Sequence, residues 1–228
     1  MRIFLALLLA VLPASQAMAQ GAETAEQRDA DFRTVIGLFQ SGKAEEAVDI
    51  IDPYLAGYEK TYAGEKRLIF CADGAEEAIL AMGVAQAAGK DAIVIDSGWC
   101  FALWAKGYAL VDLHRVAEGL PYLERAVAMM PFNAQYLCEL GYAYGTLGNW
   151  EKALATFTSA VQYAEQLPAG VRTVILGRAL RGEGFSLIEL GRWDEAEAKF
   201  KKALALDPND EMAKNELAYI AEKRPKRR

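Results

Sequence analysis

One stretch of the chain is written twice, as LGNWEKALATFTSAV at residues 147–161 and LGRWDEAEAKFKKAL at residues 190–204. The two copies agree at Leu147/Leu190, Gly148/Gly191, Trp150/Trp193, Ala153/Ala196, Ala155/Ala198, Phe157/Phe200 and Ala160/Ala203. A glycine ends one helix, and Ala153, Phe157 and Ala160 then recur at helical spacing along the next. A chain that repeats such a unit builds from helical hairpins, each needing its neighbour to cover its apolar face.

The repeat extends beyond these copies. Leu103, Gly107, Leu110, Leu123 and Ala126 return 34 residues later as Leu137, Gly141, Tyr144, Phe157 and Ala160. Gly141, Phe157 and Ala160 return once more, 43 residues on, as Gly184, Phe200 and Ala203. The longer spacing is taken up around Gln166–Gly170, which predicts a lengthened first helix starting near Val171. Pro131 and Pro208 stand five residues after Ala126 and Ala203 and end their helices. Gly107, Gly141 and Gly184 remove a side chain where two helices of a hairpin meet. Ala126, Ala160 and Ala203 do so where hairpins stack. A closing helix is begun by Asn209-Asp210 and faced by Ala213, Leu217 and Ile220.

This period and these positions resemble the tetratricopeptide repeat family over roughly residues 100–221, and loosely over 28–55. The resemblance implies an all-α fold, a right-handed α-solenoid of helical hairpins at about 100–133, 134–167 and 175–208 followed by the closing helix. In such repeats the first helices line a concave groove that takes an extended peptide or a partner helix.

The amino-terminal half is less regular. Phe32, Val35, Ile36 and Phe39 mark one amphipathic helix over 23–41, and Ala47, Ile50 and Ile51 a second. Asp52-Pro53 falls inside that second helix, so a kink or restart is expected there, with Asp52 as cap. Residues 57–73 read as an irregular connection. Asp73 with Glu76 is a capping-box-like start for a helix with Ala75, Ile79 and Met82 on one face and Gly89 as its stop. Residues 92–95 are strand-like in composition, but the helical pattern running on through Leu103 and Leu110 favours the opening of a long helix. The region 20–99 is thus expected to be helical, with one degenerate repeat.

Residues 1–19 read as a cleavable signal peptide: Arg2, an apolar run from Ile3 to Leu12, and Ala17-Met18-Ala19 before Gln20. That run is shorter than the ~20 residues that span a bilayer. The expectation is an exported, periplasmic protein with no integral membrane segment after cleavage. Formal charge is −6 with pI about 5.0, against binding nucleic acid through a basic face. The tail 222–228 is basic, either a solvated end or a weak contact for anionic lipid. Export places Cys71, Cys100 and Cys138 in an oxidising compartment; Cys71–Cys100 is the favoured pair, with Cys138 a small buried residue.

Register within the resemblance aims Phe101, Trp104, Tyr108, Val111 and Asp112 at the groove from the first of these repeats. The next contributes Gln135, Cys138, Tyr142 and Thr146, and the last Arg178, Arg181, Phe185 and Glu189. Aromatics with arginine are the usual anchors of binding surfaces. Arg178 and Arg181, three apart, are placed to fork onto a partner's carboxylate. The competing reading packs Phe101 and Trp104 against the helix of residues 74–88 and pairs the arginines with Glu183 or Asp112. A carboxyl-terminus clamp of the kind some members use is disfavoured by Tyr142 and Cys138.

Catalysis finds little support. His114 is the only histidine, no nucleophile or phosphate-loop motif is present, and the cysteines make no metal cluster. The sequence therefore predicts no cofactor, no metal and no enzyme. It predicts a scaffold that binds a peptide or protein of the cell envelope in its groove. The alternative is a homo-oligomer whose groove is filled by its own residues 57–99; a thiol-dependent enzyme through Cys138 ranks below both.

Overall fold

The computed structural model describes the backbone over residues 14–225 and side chains over 25–225. Residues 1–13, most of the expected signal peptide, and residues 226–228 of the basic tail lie outside these bounds. Among the described residues there are ten helices and two short strands: α1 (Ala14–Gln40), α2 (Ala44–Thr61), β1 (Leu68–Cys71), α3 (Ala75–Ala87), β2 (Ala92–Ile95), α4 (Gly98–Asp112), α5 (Val116–Met129), α6 (Ala134–Thr146), α7 (Trp150–Ala164), α8 (Ala169–Glu189), α9 (Trp193–Leu206) and α10 (Glu211–Lys223).

Four hairpins, α1/α2, α4/α5, α6/α7 and α8/α9, stack in chain order with α10 as the lid. The second helix of each packs on the first helix of the next, and α1, α4, α6, α8 and α10 adjoin in sequence as one layer. The glycine rule holds at atomic scale. A Cβ on Gly107 would sit 2.6 Å from Leu123, on Gly141 2.9 Å from Phe157, and on Gly184 2.6 Å from Phe200. Gly182 is tighter still, at 2.3 Å from Phe157, so that ring is wedged between α6 and α8. Ala126, Ala160 and Ala203 are buried between hairpins. α8 opens behind Pro168, and the Asp210 carboxylate caps α10 by accepting the Ala213 N–H.

Each hairpin turn passes through the left-handed region, at Gly42 (φ 68°), His114 (φ 59°), Gly148 (φ 75°) and Gly191 (φ 72°). α2 does not restart at Pro53 as expected: it runs unbroken, because Ile51 and Leu55 on either side are buried in the same core. Asp52 is not a cap and takes the Lys106 ammonium at 2.7 Å.

The largest departure lies between α2 and α4. These helices pack directly on each other, so residues 62–97 are an insertion into an otherwise continuous stack. The insertion is a β–α–β unit. β1 and β2 pair in parallel, Leu68 with Ala92 through Cys71 with Ile95, and α3 covers one face with Ala81 and Ala85 on Phe70. Residues 92–95 are therefore a strand and not the start of a helix: Ala-Ile-Val-Ile is β-branched, and Asp96-Ser97 separates it from α4. The expected face of α3 is also reversed, since Ile79 and Met82 are exposed and Ala81 and Ala85 buried. The start of α3 holds half of the expected capping box, displaced by one residue: Gly74 is the cap and the Asp73 N–H donates to Glu77.

A disulfide joins Cys71, ending β1, to Cys100 in the first turn of α4, with Cα atoms 6.2 Å apart. Beside it Trp99 is buried between Tyr58 and Tyr62, ring centres at 5.6 and 5.1 Å, under the Arg125 guanidinium at 4.6 Å. Arg28 of α1 ties the unit down through Asp96 at 2.9 Å. No helix of the described residues is long and apolar enough to cross a membrane. In the tail, Arg224 folds back onto α9 beside Asp194 and Glu197.

Candidate functional site

The residues aimed at the groove by register divide into two groups. The aromatics of α4, Phe101, Trp104 and Tyr108, are covered by α1, not by α3 as the competing reading has it. Phe101 stacks on Phe32 at 4.3 Å, Tyr108 lies against Phe39 at 4.7 Å, and Trp104 meets Phe39 edge-on while stacking on Tyr136 of α6 at 5.7 Å. This end of the layer is filled by the protein's own amino-terminal helix. Residues 57–99 do not fill it; they make the β–α–β unit on the α4–α5 side.

The second group is open. Tyr142 of α6 is 53% exposed and Phe185 of α8 is 41% exposed. Between them lies a cleft of about 410 Å³. Its floor is Gly141, Gly145, Gly182 and the Phe157 ring, and its walls are Tyr142, Thr146, Trp150, Phe185 and Met212. The glycines that let the helices approach also leave the Phe157 ring at the floor of the cleft. Trp150, the first residue of α7, closes one end through its contact with Gly145. Met212 comes from α10, so the lid helix completes the cleft; neither it nor Gly182 was singled out from the sequence. Gly182 lies two residues from Gly184, and that doubled glycine is the signal that would have found it. Asp112 is exposed at one end of the groove, beside Tyr142, His114 and Arg178.

Arg178 and Arg181 line the cleft but are already engaged. Arg178 forks onto Glu139 at 2.5 and 2.7 Å, and Glu139 also accepts from Gln135 at 3.0 Å. Burial pushes the Glu139 carboxyl up from its ordinary value, opposed by Arg178 and the Gln135 amide. Arg181 donates to Asp210, the cap of α10. The expected fork onto a partner's carboxylate is thus corrected: each arginine meets an internal acid, and neither acid is Glu183 or Asp112. Glu183 turns away from the cleft, to Lys199 at 2.6 Å and Thr158 at 2.8 Å. With its cations neutralised, the cleft is suited to an apolar side chain.

Cys138 is fully buried and its thiol is pushed up to about 12 by burial, which removes the thiolate that chemistry would need. Among the described residues no group of His, Cys, Asp and Glu is arranged to hold a metal ion.

A stack of helical hairpins with an apolar cleft between successive first helices defines a repeat scaffold. Residues 132–209 match the tetratricopeptide repeat family model, so this segment is a tetratricopeptide repeat segment and the stack it belongs to has that fold. Its fold is similar to pilF of Pseudomonas aeruginosa (17% identity, 86% of this chain and 68% of that one, TM-score 0.58) and to a point mutant of MamA (22% identity, 87% and 88%, TM-score 0.54). It is also similar to the first TPR of Spaghetti bound to an HSP90 peptide (23% identity, 56% and 94%, TM-score 0.50). At these identities the likeness is one of fold. No curated protein sequence matches the chain.

Proposed function

We propose that this protein is an exported scaffold that holds an extended peptide or a partner helix between α6 and α8, with an apolar side chain of the partner inserted against Phe157. The observation that carries this reading is the open cleft under Tyr142 and Phe185. It is the open continuation of a layer whose other end α1 fills, and its aromatic and methionine walls suit apolar anchors. The first TPR of Spaghetti, bound to an HSP90 peptide, supports peptide binding by such a fold, not the identity of the partner. Export is supported by the leader pattern at 1–19 and by the Cys71–Cys100 bridge, which persists in an oxidising compartment. The role is binding in envelope assembly, secretion or maturation rather than catalysis.

Photocrosslinking tests it. A crosslinker at position 185 is expected to capture a discrete partner that one at position 219, on α10 outside the cleft, does not. Thr146→Trp, which fills the cleft, is expected to reduce that capture at least about tenfold. Equal capture from both positions, or indifference to Thr146→Trp, removes the cleft from the account. Export is checked by fractionation and by a mature chain beginning at Gln20.

A further inference from the structure

From Ala78 to Ala85 α3 is apolar on every side. Ala81 and Ala85 cover the two strands, yet Ile79 is 72% exposed, and Leu80, Met82 and Val84 are exposed as well. A helix that is apolar all round is ordinarily covered all round. Its outer face also carries Gly83, a residue that weakens a helix relative to alanine and needs a reason. Among the described residues nothing lies within 4 Å of where a Gly83 Cβ would stand, so no contact among them requires it. Around it Ala78, Ile79, Met82 and Gln86 line a shallow depression of about 620 Å³.

The order of residues on this face fits one occupant. Glu76, Ile79, Gly83 and Ala87 fall at i, i+3, i+7 and i+11 and share one stripe. Lys90 stands just past the helix end, beyond Gly89. Gly83 is the midpoint: Glu76 and Lys90 lie seven residues to either side, and Ile79 and Ala87 four. The stripe is acidic, apolar, small, apolar, basic, and is complementary to itself when reversed. Glu76 and Lys90 are both exposed.

We infer that α3 is a dimerisation helix that pairs antiparallel with α3 of a second copy, the two crossing at Gly83. About that two-fold axis each Ile79 packs on the partner copy's Ala87, and each Glu76 faces the partner copy's Lys90. The absent Cβ at Gly83 lets the backbones approach at the crossing. Isologous pairing of this kind is the commonest symmetry of soluble oligomers. One helix pair buries less than the ~1,200 Å² of a stable interface, so the dimer dissociates on dilution. The interface lies on the inserted unit and leaves the cleft under Tyr142 and Phe185 free in both copies.

Sedimentation velocity of the purified protein over a range of concentrations tests this. A monomer–dimer equilibrium is expected. Glu76→Lys sets like charges opposite each other at both ends and is expected to weaken the dimer about tenfold, as is Lys90→Glu. The double variant Glu76→Lys/Lys90→Glu restores it. Gly83→Glu, on an exposed position that leaves the fold intact by circular dichroism, abolishes it, and Phe185→Ala leaves it unchanged. A monomer at every concentration overturns the inference. So does a dimer that ignores the single swaps, or one the double swap fails to restore.

Discussion

His114 occupies the turn position that glycine holds in the other three hairpins. A left-handed backbone crowds the Cβ of any residue except glycine, at a cost of ~1–2 kcal/mol. His114→Gly is therefore expected to raise the unfolding free energy by about 1 kcal/mol in urea titration, the gain being reduced by the looser unfolded chain. Cys138 bears on pH. Its thiol titrates near 9.0 when free and near 12 in the fold. The folded state therefore keeps a proton that the unfolded state loses. The stability this contributes is whole below pH 9 and is lost as pH rises toward 12. Cys138→Ala is expected to flatten the fall of stability across that window, and native Cys138 is expected to resist thiol reagents until the chain unfolds. At this scale the packing residues were legible, since an alanine or glycine at fixed spacing has one mechanical reason. The arginines were not. The partner of Arg178 is 39 residues away on the adjacent first helix, and only the stacked geometry brings Glu139 to it.

At the scale of elements, α5, α7, α9 and α10 could be read because each has one apolar stripe. α4, α6 and α8 could be read because Gly107, Gly141 and Gly184 recur in them, although the start of α4 was not marked. The inserted unit could not. A four-residue apolar run has no period to tell strand from helix. α3, apolar on every side from Ala78 to Ala85, offers no single stripe, so the face through Ala75, Ile79 and Met82 was the wrong one. Parallel pairing joins strands separated by a helix, so no hairpin turn announces it. A two-stranded sheet of this size is marginal alone. The Cys71–Cys100 bridge, closing a loop with a sequence separation of 29, ties β1 to the first turn of α4. The variant Cys71→Ala/Cys100→Ala is expected to lose about 2–4 kcal/mol of stability in urea titration, with hydrogen exchange rising first in β1, α3 and β2. β2 is shielded from pairing with stray strands by its brevity and by Asp91 and Asp96 at its two ends.

Over the whole molecule the buried residues form separate clusters, one centred on Trp99, Leu103 and Leu123 and another on Leu187, Phe200 and Ile220. Stability in a stacked array is close to a sum of repeats and their interfaces. Phe200→Ala removes a fully buried ring from the second cluster and is expected to cost about 3–5 kcal/mol. Exchange protection is expected to fall in α8, α9 and α10 while the Trp99 cluster keeps its own; a uniform loss through the chain would show the stack to be one cooperative unit.

The four tryptophans are spread along this array. Trp99 and Trp104 are buried in the amino-terminal cluster, Trp150 walls the cleft, and Trp193 lies beside Tyr219 of the lid. The protein thus carries its own optical reporters, one set per region. A partner entering the cleft should shift the emission of Trp150 alone, and replacing Trp150 by Phe should silence that signal while the other three indoles still report unfolding.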